Sequence, residues 1–381
     1  MMGSFLNNIS INNKEEKENK KQKLLPNPNF KIKKTIVKTH KTSINICFKL
    51  LSCFEIYKLK NTQNSFFIAI QIEEKKVEIL KYDFNNAKKI SEINIQPNRM
   101  KYFYDEIYDI EYLIIQTLKE INIFLIVNEK TFKKLFTYKE EGYISRGAEG
   151  YYKGLLPISD FLLFYDKYNK INYLVVLFFY RVDYSSMEKK ISILKLGKNN
   201  YILLSQFKSP DSEMTSEKIF LIWEDKISKL NYLIYNSYDD LILLKINIED
   251  KIDNIILKGL LGPFTNYLGS IINQGDKKDY LYLFDNKGLL TIIDLNLKQK
   301  IMKLNIINAI IKSVLEWNND YILFSTKKYI YTFDINAKKL INKMIINSEK
   351  DIASINKFIY EEYNFYSLIV DLSNEIIAIN L

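Results

Sequence analysis

Two segments of the chain, FDNKGLLTIIDL and VDLSNEIIAINL, align without a gap at a separation of 86 residues. The alignment places Asp285 over Asp371 and Asp294 over Asn380. A chain of 381 residues is longer than most chains that fold around a single hydrophobic core, and such chains usually form several domains or repeated units. The internal similarity therefore predicts an architecture that grows by repeating one supersecondary unit.

The turn inside each segment matches in its chemistry as well. Gly288 falls on Asn374, and these two residue types most readily adopt the left-handed conformation of a tight hairpin. A third segment, YIYTFDINAKKLI, joins the register at a shift of 40 residues, with Asp334 over Asp294. Because asparagine replaces aspartate in a sister unit, we interpret Asp334 as a structural position rather than a proton-transfer group.

Seven units follow from this pattern, each with a third strand that ends in an apolar residue, an aspartate or its substitute, and another apolar residue. The marker positions are Asp83, Asn128, Leu196, Asn247, Asp294, Asp334 and Asn380, with spacings of 45, 68, 51, 47, 40 and 46 residues. A four-stranded propeller blade takes about 40 to 45 residues. We therefore predict an all-β fold, a seven-bladed β-propeller of four-stranded antiparallel blades.

The two ends of the chain predict how the ring closes. The chain stops on the third strand of the seventh unit, and a lone strand-like segment, Asn29 to His40, precedes the first unit. We expect this N-terminal strand to complete the last blade, which limits exposed sheet edges. Residues 1–29, rich in Lys, Glu and Asn, are predicted to be a disordered arm, and residues 30–381 the propeller.

The unit ends YDF, IDL, FDI and INL, the turn DNKG and the segment THKTSINICF resemble a divergent WD40-repeat β-propeller. In that family a His, a Ser or Thr, an Asp and a Trp form a hydrogen-bonded network inside many blades. This chain has one histidine, His40, and we place Trp223 and Trp317 in innermost strands instead. The resemblance thus implies the fold, with the network in at most one blade and apolar packing elsewhere.

No motif in the sequence marks a catalytic, cofactor or metal site. A hydrolytic triad needs a base, and His40 occupies a repeat position that predicts a structural role. The acidic pairs Glu140-Glu141 and Asp239-Asp240 fall in turns, where solvated charge is the expected state. With two cysteines and no CxxC, neither a disulfide framework nor a zinc cluster is indicated. We predict a protein that is not an enzyme.

Charge and hydropathy limit which partners and which cellular locations the sequence favours. The formal net charge is +10, but only three residues are arginine, the side chain that favours bidentate phosphate contacts. The longest apolar run, INYLVVLFFY, is too short for a membrane-spanning helix and predicts a buried strand. Without a secretory signal, the chain is expected to be soluble, in the cytoplasm or another intracellular compartment, with weak anionic lipid or nucleic-acid contacts at most.

One insertion, EEGYISRGAEGYYKGLLP from Glu140 to Pro157, breaks the repeat and holds four of the eleven glycines. Loops that interrupt a scaffold often carry its function. Its candidate partner-binding residues are Tyr143, Arg146, Tyr151 and Tyr152, because tyrosine and arginine are favoured at protein interfaces. A purely structural crossover remains the alternative. A second insertion, FKSPDSEMTSEK, is either a phosphorylated loop or a solvated linker.

These features predict a non-enzymatic scaffold whose face and rim loops hold partner proteins in an intracellular complex. The alternative is a propeller that binds phosphoinositides, a membrane surface or RNA through lysines and the N-terminal arm. Phosphoinositide-binding propellers, which resemble this chain in fold, use an adjacent Arg-Arg-Gly set, whereas ISRGAEGYY offers Arg146 alone. The two functions differ in their expected salt dependence, which is strong for phosphate binding.

Overall fold

The structure, a computed structural model, consists almost entirely of β-strands and the turns between them. It describes residues 31–38, 54–60, 62, 66–73, 75–82, 87–145, 150–183, 187–209, 219–237, 240–246, 254–261, 267–273, 278–285, 287–346, 351–360, 365–372 and 375–380. Within these ranges no helix is long and apolar enough to span a membrane. The strands form seven four-stranded antiparallel sheets and one two-stranded hairpin.

The bounds of the strands, in chain order, are as follows. The N-terminal strand is β1 (Lys31–Lys38), and blade 1 contains β2 (Phe54–Tyr57), β3 (Phe66–Glu73), β4 (Lys76–Tyr82) and β5 (Ala87–Ile93). Blade 2 contains β6 (Arg99–Asp105), β7 (Ile110–Gln116), β8 (Ile121–Asn128) and β9 (Thr131–Tyr138). The hairpin is β10 (Glu141–Ser145) and β11 (Tyr151–Leu155), and blade 3 contains β12 (Ile158–Asp166), β13 (Ile171–Arg181), β14 (Met187–Leu196) and β15 (Tyr201–Ser209).

The remaining blades follow the same order. Blade 4 contains β16 (Phe220–Asp225), β17 (Leu230–Ser237), β18 (Asp240–Ile246) and β19 (Asn254–Leu257). Blade 5 contains β20 (Tyr267–Asn273), β21 (Asp279–Asp285), β22 (Leu289–Asp294) and β23 (Gln299–Asn305). Blade 6 contains β24 (Ser313–Glu316), β25 (Tyr321–Ser325), β26 (Tyr329–Asp334) and β27 (Lys339–Ile345), and blade 7 contains β28 (Ser354–Tyr360), β29 (Phe365–Asp371) and β30 (Glu375–Asn380).

The arrangement confirms the predicted seven-bladed propeller. Within each blade the strands pair in chain order, and the first strands of successive blades contact one another, so they are the innermost strands. The last blade has the order β28, β29, β30, β1. The N-terminal strand pairs with β30 from Lys31 opposite Asn380 to Lys38 opposite Glu375, which confirms the predicted closure. The proposed domain boundary at residues 29 and 30 stays a prediction.

The marker positions lie where the repeat places them, at the ends of third strands. Described examples are Asn128 in β8, Leu196 in β14, Asp294 in β22, Asp334 in β26 and Asn380 in β30. Asp371 ends the second strand of blade 7, as Asp285 ends that of blade 5. His40, Asp83 and Asn247 lie outside the described residues.

The core lies between the blades rather than at the centre of the ring. Strands buried on both faces are predicted to be continuously apolar, and the run INYLVVLFFY indeed forms most of β13. Six apolar clusters occupy the six interfaces from blades 1 and 2 to blades 6 and 7. Blades 2 to 6 are therefore held by side-chain packing against both neighbours.

The two tryptophans lie at interfaces between blades. Trp223 lies in β16 as predicted, stacks on Tyr232 with ring centroids 5.0 Å apart, and donates its indole N–H to Asp279 of the next blade at 2.9 Å. Trp317 is fully buried but lies one residue beyond β24. Its backbone N–H donates to the carbonyl of Tyr321 at 2.9 Å and so belongs to the turn that follows the strand. Its placement inside the strand was wrong by that one residue.

One five-residue turn recurs on one side of the ring. It begins with an aspartate whose carboxylate accepts backbone N–H groups two or three residues later, and it ends in a non-glycine residue with positive φ. The five first residues are Asp105, Asp166, Asp225, Asp294 and Asp334. The five last residues are Asp109, Lys170, Lys229, Lys298 and Lys338, with φ between 52° and 58°. The aspartate of the repeat is thus a turn cap.

Lysines concentrate on the outer strands of the blades. The outer strands contain four in β1, two each in β5, β9, β23 and β27, and one in β15, against a single glutamate in β5. The second strands contain none. Six outer strands also carry a one-residue bulge: β1 has two, at Lys33 and Ile36, and the others lie at Ile90, Leu135, Leu204, Ile301 and Ile341. Edge lysines and bulges both discourage pairing with another chain.

Candidate functional site

The insertion at residues 140–157 emerges on one defined side of the ring. An antiparallel meander places every connection from an outer strand to the next innermost strand at the same side. We call this side the connection face, defined by the links from β5 to β6, β9 to β12, β23 to β24 and β27 to β28. The aspartate-capped turns lie on the opposite side, the turn face.

The insertion is an ordered hairpin rather than an irregular loop. β10 pairs with β11 from Glu141 opposite Leu155 to Ser145 opposite Tyr151. Since side chains alternate along a strand, the hairpin has two distinct faces. Sequence reasoning located the insertion but missed the hairpin, because YISRGAEGYYKG has no clean apolar alternation.

The inner face of the hairpin sits tightly on blades 2 and 3. Ile144 is buried, and Tyr152 is half-buried against the apolar cluster between these blades. A Cβ atom on Gly142 would lie 2.7 Å from Leu156, whose side chain is itself buried. Gly142 therefore allows this close approach, whereas its partner across the pair, Gly154, makes room for the Tyr152 ring within the hairpin.

The outer face of the hairpin presents Tyr143 and Tyr151, whose side chains are 69% and 64% exposed. Tyr143 lies opposite Lys153, and the ammonium of Lys153 pairs with Glu141 at 3.2 Å. The structure thus separates the predicted residues: Tyr143 and Tyr151 share the outer face, and Tyr152 points to the core. Arg146 lies outside the described residues.

Glu140 fixes the hairpin to blade 3. Its carboxylate accepts hydrogen bonds from Lys190 at 2.6 Å, Gln206 at 2.9 Å and the hydroxyl of Tyr138 at 3.2 Å. Burial raises the pKa of Tyr138, so its hydroxyl remains a donor at neutral pH. The backbone N–H of Leu156 also donates to the Glu140 carbonyl at 2.8 Å, closing the base of the hairpin. The sequence had marked Glu140 only as a solvated charge in a turn.

The neighbouring turn extends the exposed surface. Ile158, directly after the hairpin, donates its N–H to the carbonyl of Leu118 at 2.8 Å, and the Leu118 side chain is 57% exposed. We define the hairpin surface as Tyr143, Tyr151, Lys153 and Leu118. The second insertion begins inside β15, and its residues 210–218 lie outside the described chain.

A buried charge also lies at the interface of blades 2 and 3, away from the hairpin's outer face. The guanidinium of Arg99 pairs with Asp160, donates to the carbonyl of Phe161 at 2.9 Å and covers the Phe161 ring at 5.1 Å. Both side chains are about nine-tenths buried, so this pair locks two innermost strands together rather than offering a ligand site. Sequence reasoning had counted Arg99 only as one of three arginines, too few and too far apart to indicate bidentate phosphate binding.

The site combines aromatic, basic and aliphatic side chains. Among the described residues, no group of three or more His, Cys, Asp or Glu side chains is placed to hold a metal ion. The hairpin surface offers rigid aromatic area, a lysine and a leucine, held in place by buried hydrogen bonds. Aromatic and basic groups of this kind supply affinity at protein interfaces.

No protein-family model and no curated protein matches the sequence. Solved structures do match the fold. The mercury-soaked structure of BBS1N in complex with ARL6DN aligns with a TM-score of 0.59 at 11% identity, covering 86% of this chain and 91% of that chain. Saccharomyces cerevisiae Sqt1 aligns at 0.55 with 10% identity, and the WD40 β-propeller domain of Doa1 at 0.50 with 11% identity; each covers 86% of this chain and 95% of the other.

The fold therefore defines the class: the chain is a closed seven-bladed β-propeller. The structural matches confirm the resemblance to the WD40 repeat at the level of the fold.

Proposed function

We propose that the chain is a non-enzymatic scaffold that binds a partner protein through the hairpin surface, in the cytoplasm or another intracellular compartment. The observation that carries this proposal is the exposure of Tyr143 and Tyr151 on a hairpin that the hydrogen bonds of Glu140 and the buried Ile144 fix to the ring. An insertion that served only to connect blades 2 and 3 would not need to expose either tyrosine. One similar propeller structure, BBS1N, is itself in complex with a partner, ARL6DN.

Preorganisation is the physical advantage of this site. Tyrosine brings a large contact area with few rotatable bonds, and the anchored hairpin loses little backbone entropy when a partner docks. Removing a tyrosine that anchors an interface typically costs about 2 kcal/mol or more of binding free energy. Two tyrosines on the same face would therefore supply a large share of the binding free energy.

The test replaces Tyr143 and Tyr151 together by serine. Its control is Tyr108→Ser, a tyrosine 41% exposed on the turn face. Wild-type and variant chains are compared by quantitative affinity purification with crosslinking and mass spectrometry, at low and moderate salt. We expect a partner that crosslinks to the hairpin to fall by about tenfold or more with the double variant only.

A second variant separates loss of the surface from loss of the fold. Because Glu140 and Leu156 are hydrogen-bonded neighbours, residues 141–155 can be replaced by a short Gly-Ser linker. Equal partner recovery by the wild type, the double variant and the linker variant would overturn the proposal. Salt-sensitive capture of lipid or RNA, with no protein crosslinked to the hairpin, would support the alternative function instead.

A further inference from the structure

The outer strands of two adjacent blades expose both unpaired lysines and isoleucines, a combination that no other outer strand with described side chains shows. β23 of blade 5 exposes Lys300, Ile301 and Lys303, and β27 of blade 6 exposes Lys339, Ile341, Lys343 and Ile345. We define these seven residues as the basic rim surface. The two strands belong to neighbouring blades whose shared apolar cluster includes Met302 and Leu340.

The positive charge of the basic rim surface is not balanced by described carboxylates. None of its four lysines forms an ion pair within the described part of the chain. Two other outer-strand lysines are paired, since Lys89 contacts Glu78 and Glu92 and Lys208 contacts Glu188, whereas Lys133 and Lys134 of β9 form no ion pair among the described residues. The ammonium of Lys343 instead lies 3.9 Å from the Tyr329 ring centroid, which holds it in place.

Protection of the sheet edge explains the lysines but not the isoleucines. β9 of blade 2 shows what protection requires, because it exposes Lys133, Lys134 and Thr131 while its aromatic and aliphatic side chains are half-buried or buried. β23 and β27 expose isoleucines between their lysines, with Ile345 54% and Ile301 45% exposed. Exposed aliphatic side chains lower solubility, so their repetition beside unpaired lysines indicates a surface that a partner covers.

We propose that the basic rim surface binds an extended acidic segment of a partner protein, one that carries aliphatic side chains among its carboxylates. Carboxylates would pair with the lysines, and aliphatic side chains would cover the isoleucines. This second docking surface goes beyond the hairpin surface: it lies on the rim, in other blades, and its affinity depends on salt.

Other anionic partners fit this surface less well. Single-stranded nucleic acid needs exposed aromatic rings for stacking, and the basic rim surface has no exposed aromatic side chain and no arginine. A membrane surface favours apolar residues that protrude from the protein far enough to enter the acyl boundary. Here Ile301 and Ile341 lie at bulges within strands, flanked by lysines of greater length.

The test uses a fluorescent synthetic peptide that alternates glutamate with valine, measured by anisotropy with the full chain. The variant Lys300→Glu/Lys303→Glu is compared with Lys133→Glu/Lys134→Glu, which makes the same charge change on another outer strand. We expect the first variant to weaken binding by about tenfold or more and the control by about threefold or less. Ile341→Ser/Ile345→Ser should weaken the Glu-Val peptide but not a Glu-Ser peptide.

Each alternative outcome counts against the proposal. Equal weakening by both charge variants would mean that net charge alone attracts the peptide. Binding of phosphatidylserine vesicles or poly(U) that Lys300→Glu/Lys303→Glu abolishes, without peptide binding by the wild type, would assign the surface to lipid or RNA. Circular dichroism and thermal unfolding of each variant separate these outcomes from misfolding.

Discussion

At the scale of single residues, the aspartates of the repeat act through the backbone. Asp294 accepts the N–H of Leu297 at 2.8 Å, and Asp334 accepts that of Ala337 at 2.8 Å. The residue after the third-strand aspartate is buried and bonds the start of the second strand, as Ile335 does with the Asp320 carbonyl at 2.9 Å. The apolar-Asp-apolar pattern is therefore a turn cap between two core positions.

The last residue of this turn and the residue after it allow a matched test of backbone strain. Lys338 has φ 52°, whereas the next residue, Lys339, begins β27, and both side chains are exposed. Left-handed backbone costs a non-glycine residue about 1 kcal/mol, and glycine within a strand costs about 0.5 to 1 kcal/mol. We expect Lys338→Gly to be more stable than Lys339→Gly by about 1 kcal/mol or more in urea unfolding. Equal stabilities would show that the turn carries no strain.

A buried carboxylate gives a prediction in pH. Glu55 in β2 is buried, accepts the N–H of Tyr102 in the next blade at 2.9 Å and lies 3.8 Å from the Lys101 ammonium. Burial raises its pKa above the usual 4.5, partly offset by Lys101. The folded state then binds a proton more tightly than the unfolded state, so this group lowers the free energy of unfolding as pH rises from about 4.5 to the folded pKa.

Glutamine at this position accepts the same N–H but does not ionise. We therefore expect the stability of Glu55→Gln relative to the wild type to increase with pH across that window, by about 1.4 kcal/mol for each unit by which the pKa is raised. Urea unfolding of both chains at several values from about pH 4 to about pH 8 measures the difference. A constant difference over this range would contradict the assignment of Glu55.

At the scale of elements, the structure separates what repetition encodes from what interrupts it. Strand order, third-strand ends such as Asp294 and the tight turn at Gly288, with φ 89°, were predictable because each recurs in register. The hairpin was not, since its order depends on long-range contacts from Glu140 to Lys190 and Gln206 that no local pattern encodes. The clustering of lysines was visible only after the outer strands were assigned.

The hairpin anchor is testable with two adjacent glutamates. Glu140 is largely buried and receives three side-chain hydrogen bonds, whereas the Glu141 side chain is 58% exposed and pairs only with Lys153 among the described residues. We expect Glu140→Ala to cost about 1.5 to 3 kcal/mol locally and Glu141→Ala less than about 1 kcal/mol. Hydrogen exchange of residues 141–155 should accelerate in the first variant only. Equal exchange in both would show that packing alone holds the hairpin.

At the scale of the whole molecule, stability comes from closing a ring of similar units. Each described interface between blades contributes one apolar cluster, so no blade is buried without its neighbours. Blade 7 depends on both ends of the chain, because its outer strand is β1 and its third strand is β30. The six residue pairs between these strands join the N-terminal segment to the C-terminal one. Loss of β1 would leave a three-stranded blade with an unprotected edge.

This closure predicts a sharp boundary for N-terminal truncation. Removing residues 1–29 leaves β1 complete, since it begins at Lys31, and we expect unfolding and oligomeric state to be unchanged. Removing residues 1–38 deletes the strand and its four lysines, so we expect lower stability and concentration-dependent association through β30. Thermal unfolding and light scattering at several concentrations distinguish the two. A loss of stability with the shorter truncation would place part of the folded domain before residue 30, and an unchanged longer truncation would show that the ring closes without β1.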